Sequence, residues 1–141
     1  MEEFRRIKRE LVAKGAIIDY YQDTMQIPNG NIAKWDLIDH KGAAAVVAVR
    51  EDGKLLMVRQ YRNALERETL EIPSGGLNGR EEPTDQAAMR ELQEETGITL
   101  EESDSIRLVN PLVFSTPGMT DESNALVQIT LNREAMPKGS Q

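Results

Sequence analysis

Residues 76–98 read GLNGREEPTDQAAMRELQEETGI and form the most informative part of this 141-residue chain. They fit the spacing G-x5-E-x7-R-E-U-x-E-E-x-G-U at every specified position, where U is a bulky aliphatic residue. Four glutamates are held at fixed spacing within the stretch, namely Glu82, Glu91, Glu94 and Glu95. A pattern that fixes so many acidic positions indicates a site for chemistry rather than a solvent-exposed segment.

The second half of this stretch predicts an α-helix over Thr84–Thr96. Pro83 stands near the first turn, where proline is tolerated, and Gly97 stands where a C′ glycine ends a helix. On such a helix Glu91 and Glu95 are one turn apart, and Glu94 lies beside them. Three carboxylates therefore share one arc of the helix surface.

Clustered carboxylates on one arc can be a solvated face or a metal site. Like charges at i,i+4 cost about 0.2–0.5 kcal/mol per pair, and a divalent cation reverses the sign of that interaction. Hard Mg²⁺ prefers carboxylate oxygens together with phosphate. The preceding loop Ser74–Gly76 and the correctly spaced Glu82 and Arg90 favour the metal site over the solvated face.

Composition bounds the rest of the molecule. Hydrophobic residues make up 39% and charged residues 29%, and the length suits one domain. No apolar run is long enough to span a membrane, and no signal peptide is recognisable. The absence of cysteine excludes disulfides and thiolate chemistry and fits the cytoplasm. The net charge of −7 disfavours a nucleic-acid partner, and we interpret the one histidine, His40, as structural.

The remaining pattern predicts strands around the helix. A turn at Pro28–Asn31 joins the first two, and a turn at Glu51–Lys54 predicts a second hairpin, between the third and fourth. We expect a mixed β-sheet crossed by one helix, which is an α/β fold. The predicted strands are Leu11–Tyr21, Ile32–Asp39, Ala43–Val49, Leu55–Gln60, Thr69–Pro73, Ile106–Phe114 and Ala125–Leu131.

The acidic pattern at residues 76–98 resembles that of the Nudix hydrolases over its whole length. The resemblance implies an α/β/α sandwich with a mixed sheet and Mg²⁺-dependent cleavage of a nucleoside diphosphate linked to another group. Relatives usually continue with a further strand and a second helix. Because residues 132–141 are short and polar, we expect the C-terminal helix to be missing and the chain to be a truncated product.

Two blocks before the acidic pattern resemble the ADP-ribose pyrophosphatase branch of this family. Residues 58–62 read VRQYR, and residues 71–75 read EIPSG, which matches E-x-P-x-G. Arg59 and Arg62 are predicted to offer bidentate donors to phosphate, and Glu71 is predicted to bind substrate. The alternative is that one arginine only pairs with a surface acid such as Glu66 or Glu68.

A block after the pattern, Ser115–Glu122, resembles the S-P-G-x-x-x-E loop of the same branch. Thr116 interrupts the usual serine–proline pair, and residues 100–105 look inserted. The resemblance implies that Pro117 and Gly118 bind substrate, whereas the default for a Pro-Gly pair is an ordinary turn.

The resemblance also implies a set of roles in catalysis. One to three Mg²⁺ ions, for which Mn²⁺ can substitute, would be held by Glu91, Glu95, an assisting Glu94 and the carbonyl of Gly75. Arg90 would pair with Glu82 and orient the site, and we assign these two a structural role together with Gly76 and Gly97. The general base is left open between a glutamate of the acidic pattern and Glu122.

The predicted activity is hydrolysis of ADP-ribose or a similar nucleoside diphosphate sugar to AMP and ribose 5-phosphate. The alternatives are GDP-mannose-like sugars, dinucleotides, or a ligand-binding Nudix domain with little turnover. Residues 1–42 are predicted to be antiparallel strands that serve as a dimerisation arm, and residues 43–141 to be the Nudix core of a single domain. We expect a cytoplasmic homodimer with no nucleic-acid or membrane partner.

Overall fold

The computed structural model describes residues 3–137. Its contacts divide the chain into two compact units. One contains the residues up to His40 together with Phe114–Glu122, and the other contains Lys41–Val113 together with the residues from Ser123 onward. No helix in the described range has the length and apolar character needed to cross a membrane.

The first unit is built on a three-stranded antiparallel sheet. Strand β1 (Arg5–Lys14) pairs with β2 (Asp19–Gln26), which pairs with β3 (Ile32–Asp39). Every residue of β1 is exposed. The prediction of one strand over Leu11–Tyr21 is wrong, because that segment turns back on itself and its Gly15 amide donates to the Ile18 carbonyl at 2.7 Å.

The predicted turn at Pro28–Asn31 is confirmed between β2 and β3. Gly30 has a φ of 87°, a left-handed conformation that favours glycine, and its amide donates to the Ile27 carbonyl at 2.8 Å. The turn sets the register in which Asp19 faces Asp39 and Gln26 faces Ile32.

The second unit contains a mixed four-stranded sheet in the order β7-β4-β9-β8. Strand β4 (Ala43–Val49) runs parallel to β9 (Ser123–Thr130) and antiparallel to β7 (Ser74–Gly76). Strand β8 (Ser105–Phe114) lies at the edge. The buried apolar run of β4 confirms its prediction as a central strand.

Helix α1 (Thr84–Thr96) has the predicted bounds and packs against this sheet. Pro83 precedes it, and Gly97 ends it with a φ of 76° and an amide that donates to the Gln93 carbonyl at 2.8 Å. Leu92 and Ile129 are fully buried in the core between helix and sheet. Replacing a leucine in such a place by alanine typically costs about 2–5 kcal/mol.

A separate hairpin joins β5 (Val58–Arg62) to β6 (Arg67–Glu71) through a 3-10 turn at Asn63–Leu65. The predicted turn at Glu51–Lys54 is present, since an antiparallel bridge joins Val49 to Leu55 and the Leu56 amide donates to the Ala48 carbonyl at 3.0 Å. The later part of the predicted strand, from Val58 onward, pairs with β6 instead. Polar side chains pair across β5 and β6 and stabilise this hairpin.

Candidate active site

Helix α1 turns Glu91 towards strand β7. Glu91 is only 7% exposed, and its carboxylate lies directly against Gly75. A Cβ atom at position 75 would overlap that carboxylate, so any other residue there would force the Glu91 side chain to move. The close approach places the predicted backbone ligand, Gly75, beside the predicted carboxylate ligand.

Glu95 lies one helical turn further on and is half-buried. Its Oε2 atom is buried and has no hydrogen-bond partner within residues 3–137, while the Ser74 backbone amide donates to the carboxylate. Burial raises the pKa of Glu95, and the charge of Glu91 raises it further. Burial also raises the pKa of Glu91, and the adjacent Arg90 opposes that shift.

Glu94 is placed differently, with a side chain that is 59% exposed and lies 3.9 Å from Arg90 Nη1. The described part of the chain accordingly contains no ready-made group of three acidic or histidine side chains close enough to hold a metal. The buried Glu91 and the half-buried Glu95 remain, and Glu95 carries a buried oxygen with no partner within the described residues. Oxygen donors of this kind fit a hard divalent cation such as Mg²⁺ or Mn²⁺.

Arg90 connects the helix to the loop before it. Its Nη2 lies 2.8 Å from Glu82 Oε1, its Nη1 donates to Glu91 Oε1 at 2.7 Å, and its Nη2 also donates to the Gly76 carbonyl at 3.3 Å. Glu82 Oε1 in turn accepts from the Asn78 amide at 2.8 Å. The Arg90 guanidinium holds the pKa of Glu82 below its usual value. The ion pair expected between Arg90 and Glu82 is present.

A second charged network covers one face of the β5–β6 hairpin. Arg62 donates two hydrogen bonds to Glu71, at 2.8 and 2.6 Å. Glu71 also accepts from the Thr69 hydroxyl and from Gln60 Nε2. These contacts, Arg62 first and Thr69 second, lower the pKa of Glu71 to about 2. Arg62 therefore forms an ion pair with Glu71, and its charge also opposes the rise in the pKa of Glu95.

Sequence reasoning missed Thr69 and Gln60, although a signal for them was present. Both stand two residues from a member of the network along a strand, Thr69 from Glu71 and Gln60 from Arg62. Alternate residues of a strand share one face, so the polar character of all four indicated a common surface.

Arg59 lies on the opposite face of the hairpin from Arg62. Strand alternation groups it with Tyr61, and it stands opposite Leu70 in the register. Tyr61 is 60% and Leu70 57% exposed, so this face is open to solvent. The two predicted phosphate donors are thus separated by the strand itself.

The predicted loop residues Pro117, Gly118 and Glu122 belong to the first compact unit. Pro117 lines a mainly apolar cavity of about 290 Å³ in that unit. The lining residues are Asp36, Leu37, Phe114, Pro117, Met119, Thr120 and Asp121.

Hydrogen bonds hold this loop to the end of β3. The His40 amide donates to Asp121 Oδ1 at 2.7 Å, and the Thr120 hydroxyl donates to the Ile38 carbonyl at 2.7 Å. The roles assigned to Pro117, Gly118 and Glu122 stay predictions.

Comparison with known proteins relates this geometry to a family. Residues 39–135 match the family model of the NUDIX domain. The chain is 41% identical over 120 residues to the ADP-ribose pyrophosphatase of Bacillus subtilis (strain 168) and 38% identical over 121 residues to the methanol dehydrogenase activator of Bacillus methanolicus. It is 36% identical over 132 residues to the ADP-ribose pyrophosphatase of Mycobacterium tuberculosis (strain ATCC 25618 / H37Rv).

These alignments cover 85%, 85% and 94% of this chain and 62% of each relative. The chain thus spans less than two thirds of the length of these three relatives. A solved structure described as an ADP compounds hydrolase superposes with a TM-score of 0.80, at 18% identity, over 99% of this chain and 76% of that one. That likeness confirms the predicted α/β fold class.

Proposed function

Because this chain belongs to the NUDIX domain family, we propose that it hydrolyses the diphosphate bond of ADP-ribose or a similar nucleoside diphosphate sugar. The products from ADP-ribose are AMP and ribose 5-phosphate. Two relatives at 41% and 36% identity carry the name ADP-ribose pyrophosphatase, which supports this substrate class over others.

One observation carries the proposal most directly. Glu91 is buried, and one turn further on the half-buried Glu95 has a buried Oε2 atom with no partner within the described residues. A buried carboxylate oxygen without a partner is costly unless a cation compensates it. The proposed ligands are therefore Glu91, Glu95 and the Gly75 carbonyl, with Glu94 assisting from the exposed side.

A bound Mg²⁺, or Mn²⁺ in its place, would supply charge neutralisation at the diphosphate and make a water molecule more acidic. The chain's own residues do the positioning. Arg62 presents a planar cation to phosphate oxygens, and Glu71 fixes the orientation of that guanidinium. Arg90 holds Glu91 in place and ties the loop to the helix through Glu82.

In the reaction, the oxygen of a water molecule forms a bond to one phosphorus and the bridging P–O bond breaks. The water proton passes to a general base, for which the candidates are a glutamate of the acidic pattern and Glu122. Comparing Glu122→Gln with Glu94→Gln distinguishes them, since removal of the base lowers kcat by more than it raises KM.

The main test is AMP release from ADP-ribose by Glu95→Gln, measured by chromatography with Mg²⁺ present. We expect activity to fall by about 10²–10³-fold or more, the loss typical of removing one electrostatic element of a site. Glu102→Gln is the matched control, because Glu102 is exposed in a loop. Equal activity of Glu95→Gln and the control would overturn the metal assignment.

The second candidate is a Nudix domain that binds its ligand with little turnover. Two observations favour it: Arg90 already occupies Glu91 Oε1, and one relative is named methanol dehydrogenase activator. Calorimetry that detects ADP-ribose binding with Mg²⁺, but no product by chromatography, would select this candidate. A panel that includes GDP-mannose and dinucleotides separates the alternative substrates.

We further propose a cytoplasmic homodimer in which residues 1–42 form the dimerisation arm. The exposed strand β1, which pairs with a neighbour on one edge only, supports such an arm. Light scattering should give twice the chain mass, and Leu11→Glu on β1 should lower it. The net charge of −7 supports the absence of a nucleic-acid partner, and the absence of cysteine supports a reducing compartment.

A further inference from the structure

The chain contains two Asn-Gly pairs, Asn29–Gly30 and Asn78–Gly79. The first lies in the turn between β2 and β3, and the second lies in the loop that leads into α1. Both asparagines are exposed. They provide the same chemistry in two different hydrogen-bonding environments.

An Asn-Gly pair can rearrange without an enzyme. The backbone nitrogen of glycine attacks the side-chain carbonyl carbon of asparagine, a C–N bond forms, and the amide nitrogen leaves as ammonia. Water then opens the cyclic imide at either carbonyl and yields aspartate or isoaspartate. Glycine favours the attack because it has no side chain to hinder it and is conformationally permissive.

The first pair is held against this reaction. Asn29 Oδ1 accepts a hydrogen bond from the Asn31 amide at 2.9 Å, which fixes the side chain. The attacking nitrogen, that of Gly30, donates to the Ile27 carbonyl at 2.8 Å. Attack at Asn29 therefore requires the turn to open first.

The second pair lacks both restraints within residues 3–137. The Asn78 side chain and the Gly79 backbone nitrogen have no hydrogen-bond partner there. A Cβ at Gly79 would have open space around it, but the φ of 148° favours glycine. Other residues at position 79 would be strained, so the backbone retains the labile pair.

We propose that Asn78 is a site of spontaneous deamidation and that its conversion loosens the link between the loop and Glu82. The Asn78 amide is the backbone donor to Glu82 Oε1, at 2.8 Å. Isoaspartate adds a methylene to the main chain directly after that amide and places a new carboxylate beside Glu82. The donor moves, and a like charge appears next to an acid that Arg90 must hold alone.

The site follows from the chain geometry and does not rest on the proposed function. The test incubates the purified chain at mildly alkaline pH and elevated temperature, with peptide mapping by mass spectrometry over time. We expect conversion at Asn78 to be several-fold faster than at Asn29, which serves as the internal control. Equal rates at the two positions, or no conversion at Asn78, would overturn the site.

A second measurement addresses the consequence. Hydrogen exchange of the segment from Glu82 to Arg90 should accelerate in aged wild-type protein. It should not change in aged Asn78→Gln, which keeps the backbone amide and cannot form the five-membered imide. Unchanged exchange in protein converted at Asn78 would overturn the loosening, whatever the enzymatic activity proves to be.

Discussion

Glu95 on α1 and Glu71 on β6 are the same type of side chain held in opposite electrostatic states. Glu71 accepts hydrogen bonds from Arg62, Thr69 and Gln60, and its pKa falls to about 2. Glu95 has a buried oxygen with no partner in the described range, and burial raises its pKa. The satisfied glutamate stabilises the apoprotein, whereas the unsatisfied one costs stability.

The difference distinguishes a glutamate with a structural role from one in a candidate ligand site. A native protein satisfies most of its buried polar groups, so an exception indicates a function or a missing ligand. Glu71 fixes the orientation of Arg62 and needs no further partner. Glu95 is compensated only when a cation arrives, which is the reason to place the proposed metal there.

The largest expected effect is that Mg²⁺ raises the free energy of unfolding by supplying the partner that Glu95 lacks. A ligand that binds only the folded chain stabilises it by about 2.7 kcal/mol at a concentration 100 times Kd, and thermal unfolding measures the gain. In Glu95→Gln the gain should vanish. With a chelator present this variant should unfold at a higher temperature than wild type, because no charge is buried.

Glu102→Gln should behave as wild type in both conditions. The sign follows from the raised pKa: Glu95 favours the folded chain while protonated and loses that contribution as pH rises through its folded pKa. A chelated Glu95→Gln less stable than chelated wild type would contradict the assignment of Glu95 as the unsatisfied group.

The second expected effect is a loss of stability in Arg90→Met, which keeps the aliphatic part of the side chain. Glu91, only 7% exposed, loses its cation and becomes a second unsatisfied carboxylate beside Glu95. Leaving a buried polar group without its partner costs about 1–3 kcal/mol, and more when the group is charged, which chemical denaturation measures. Arg67→Met on the exposed end of β6 is the control, and an equal effect of the two would contradict the role of Arg90.

Local signals predicted the helix well. Pro83 and Gly97 mark its ends, and both lie within or beside the acidic pattern. The different placement of Glu91 and Glu94 could also be predicted, since Ala88, Glu91 and Glu95 recur at the spacing of one helix face. We predicted that all three carboxylates act together, and in the structure Glu94 is exposed whereas Glu91 is buried.

Pairing between distant segments could not be predicted in the same way. Leu11–Tyr21 contains an apolar run, and the turn inside it has Gly15 as its only strong turn residue. Strand β4 pairs with β7 and β9, and β5 pairs with β6 instead, where Gln60 and Arg62 contact Glu71. Those contacts exist only after the strands meet, so a local reading of the chain misses them.

The comparison also predicts how Glu71 affects stability at low pH. Because its folded pKa of about 2 lies below the usual glutamate pKa of 4.5, its contribution is complete above about pH 4.5 and is lost as pH falls towards 2. Discounted for solvent screening, the contribution is about 1 kcal/mol. In Glu71→Gln, the stability curve between these two pH values should be flatter than in wild type, as measured by urea unfolding.

Thr69→Val should raise the pKa of Glu71, since one of its hydrogen-bond donors is removed. It should not steepen the dependence of stability on pH. Thr69→Ser restores the hydroxyl and should restore the wild-type curve. Identical acid unfolding of wild type and Glu71→Gln would show that the network does not set the acid stability.

The smallest expected effect compares the two arginines of the hairpin. Arg62→Ala breaks the bidentate pair with Glu71 and should cost about 0.2–1 kcal/mol, because Arg62 is 46% exposed. Arg59→Ala, on the other face, should change stability by no more than about 0.5 kcal/mol.

In kinetics, Arg62→Ala should raise KM for ADP-ribose about tenfold, the scale of one lost charged hydrogen bond. Arg59→Ala should raise KM less, because the strand directs its side chain away from Glu71 and Glu95. An equal rise in KM for both variants would mean that the substrate meets both faces of the hairpin, which one copy of the hairpin cannot offer to a single phosphate group. Arg59 would then have to act from a second copy of the chain, and mixing Arg59→Ala with Arg62→Ala protein would restore part of the activity.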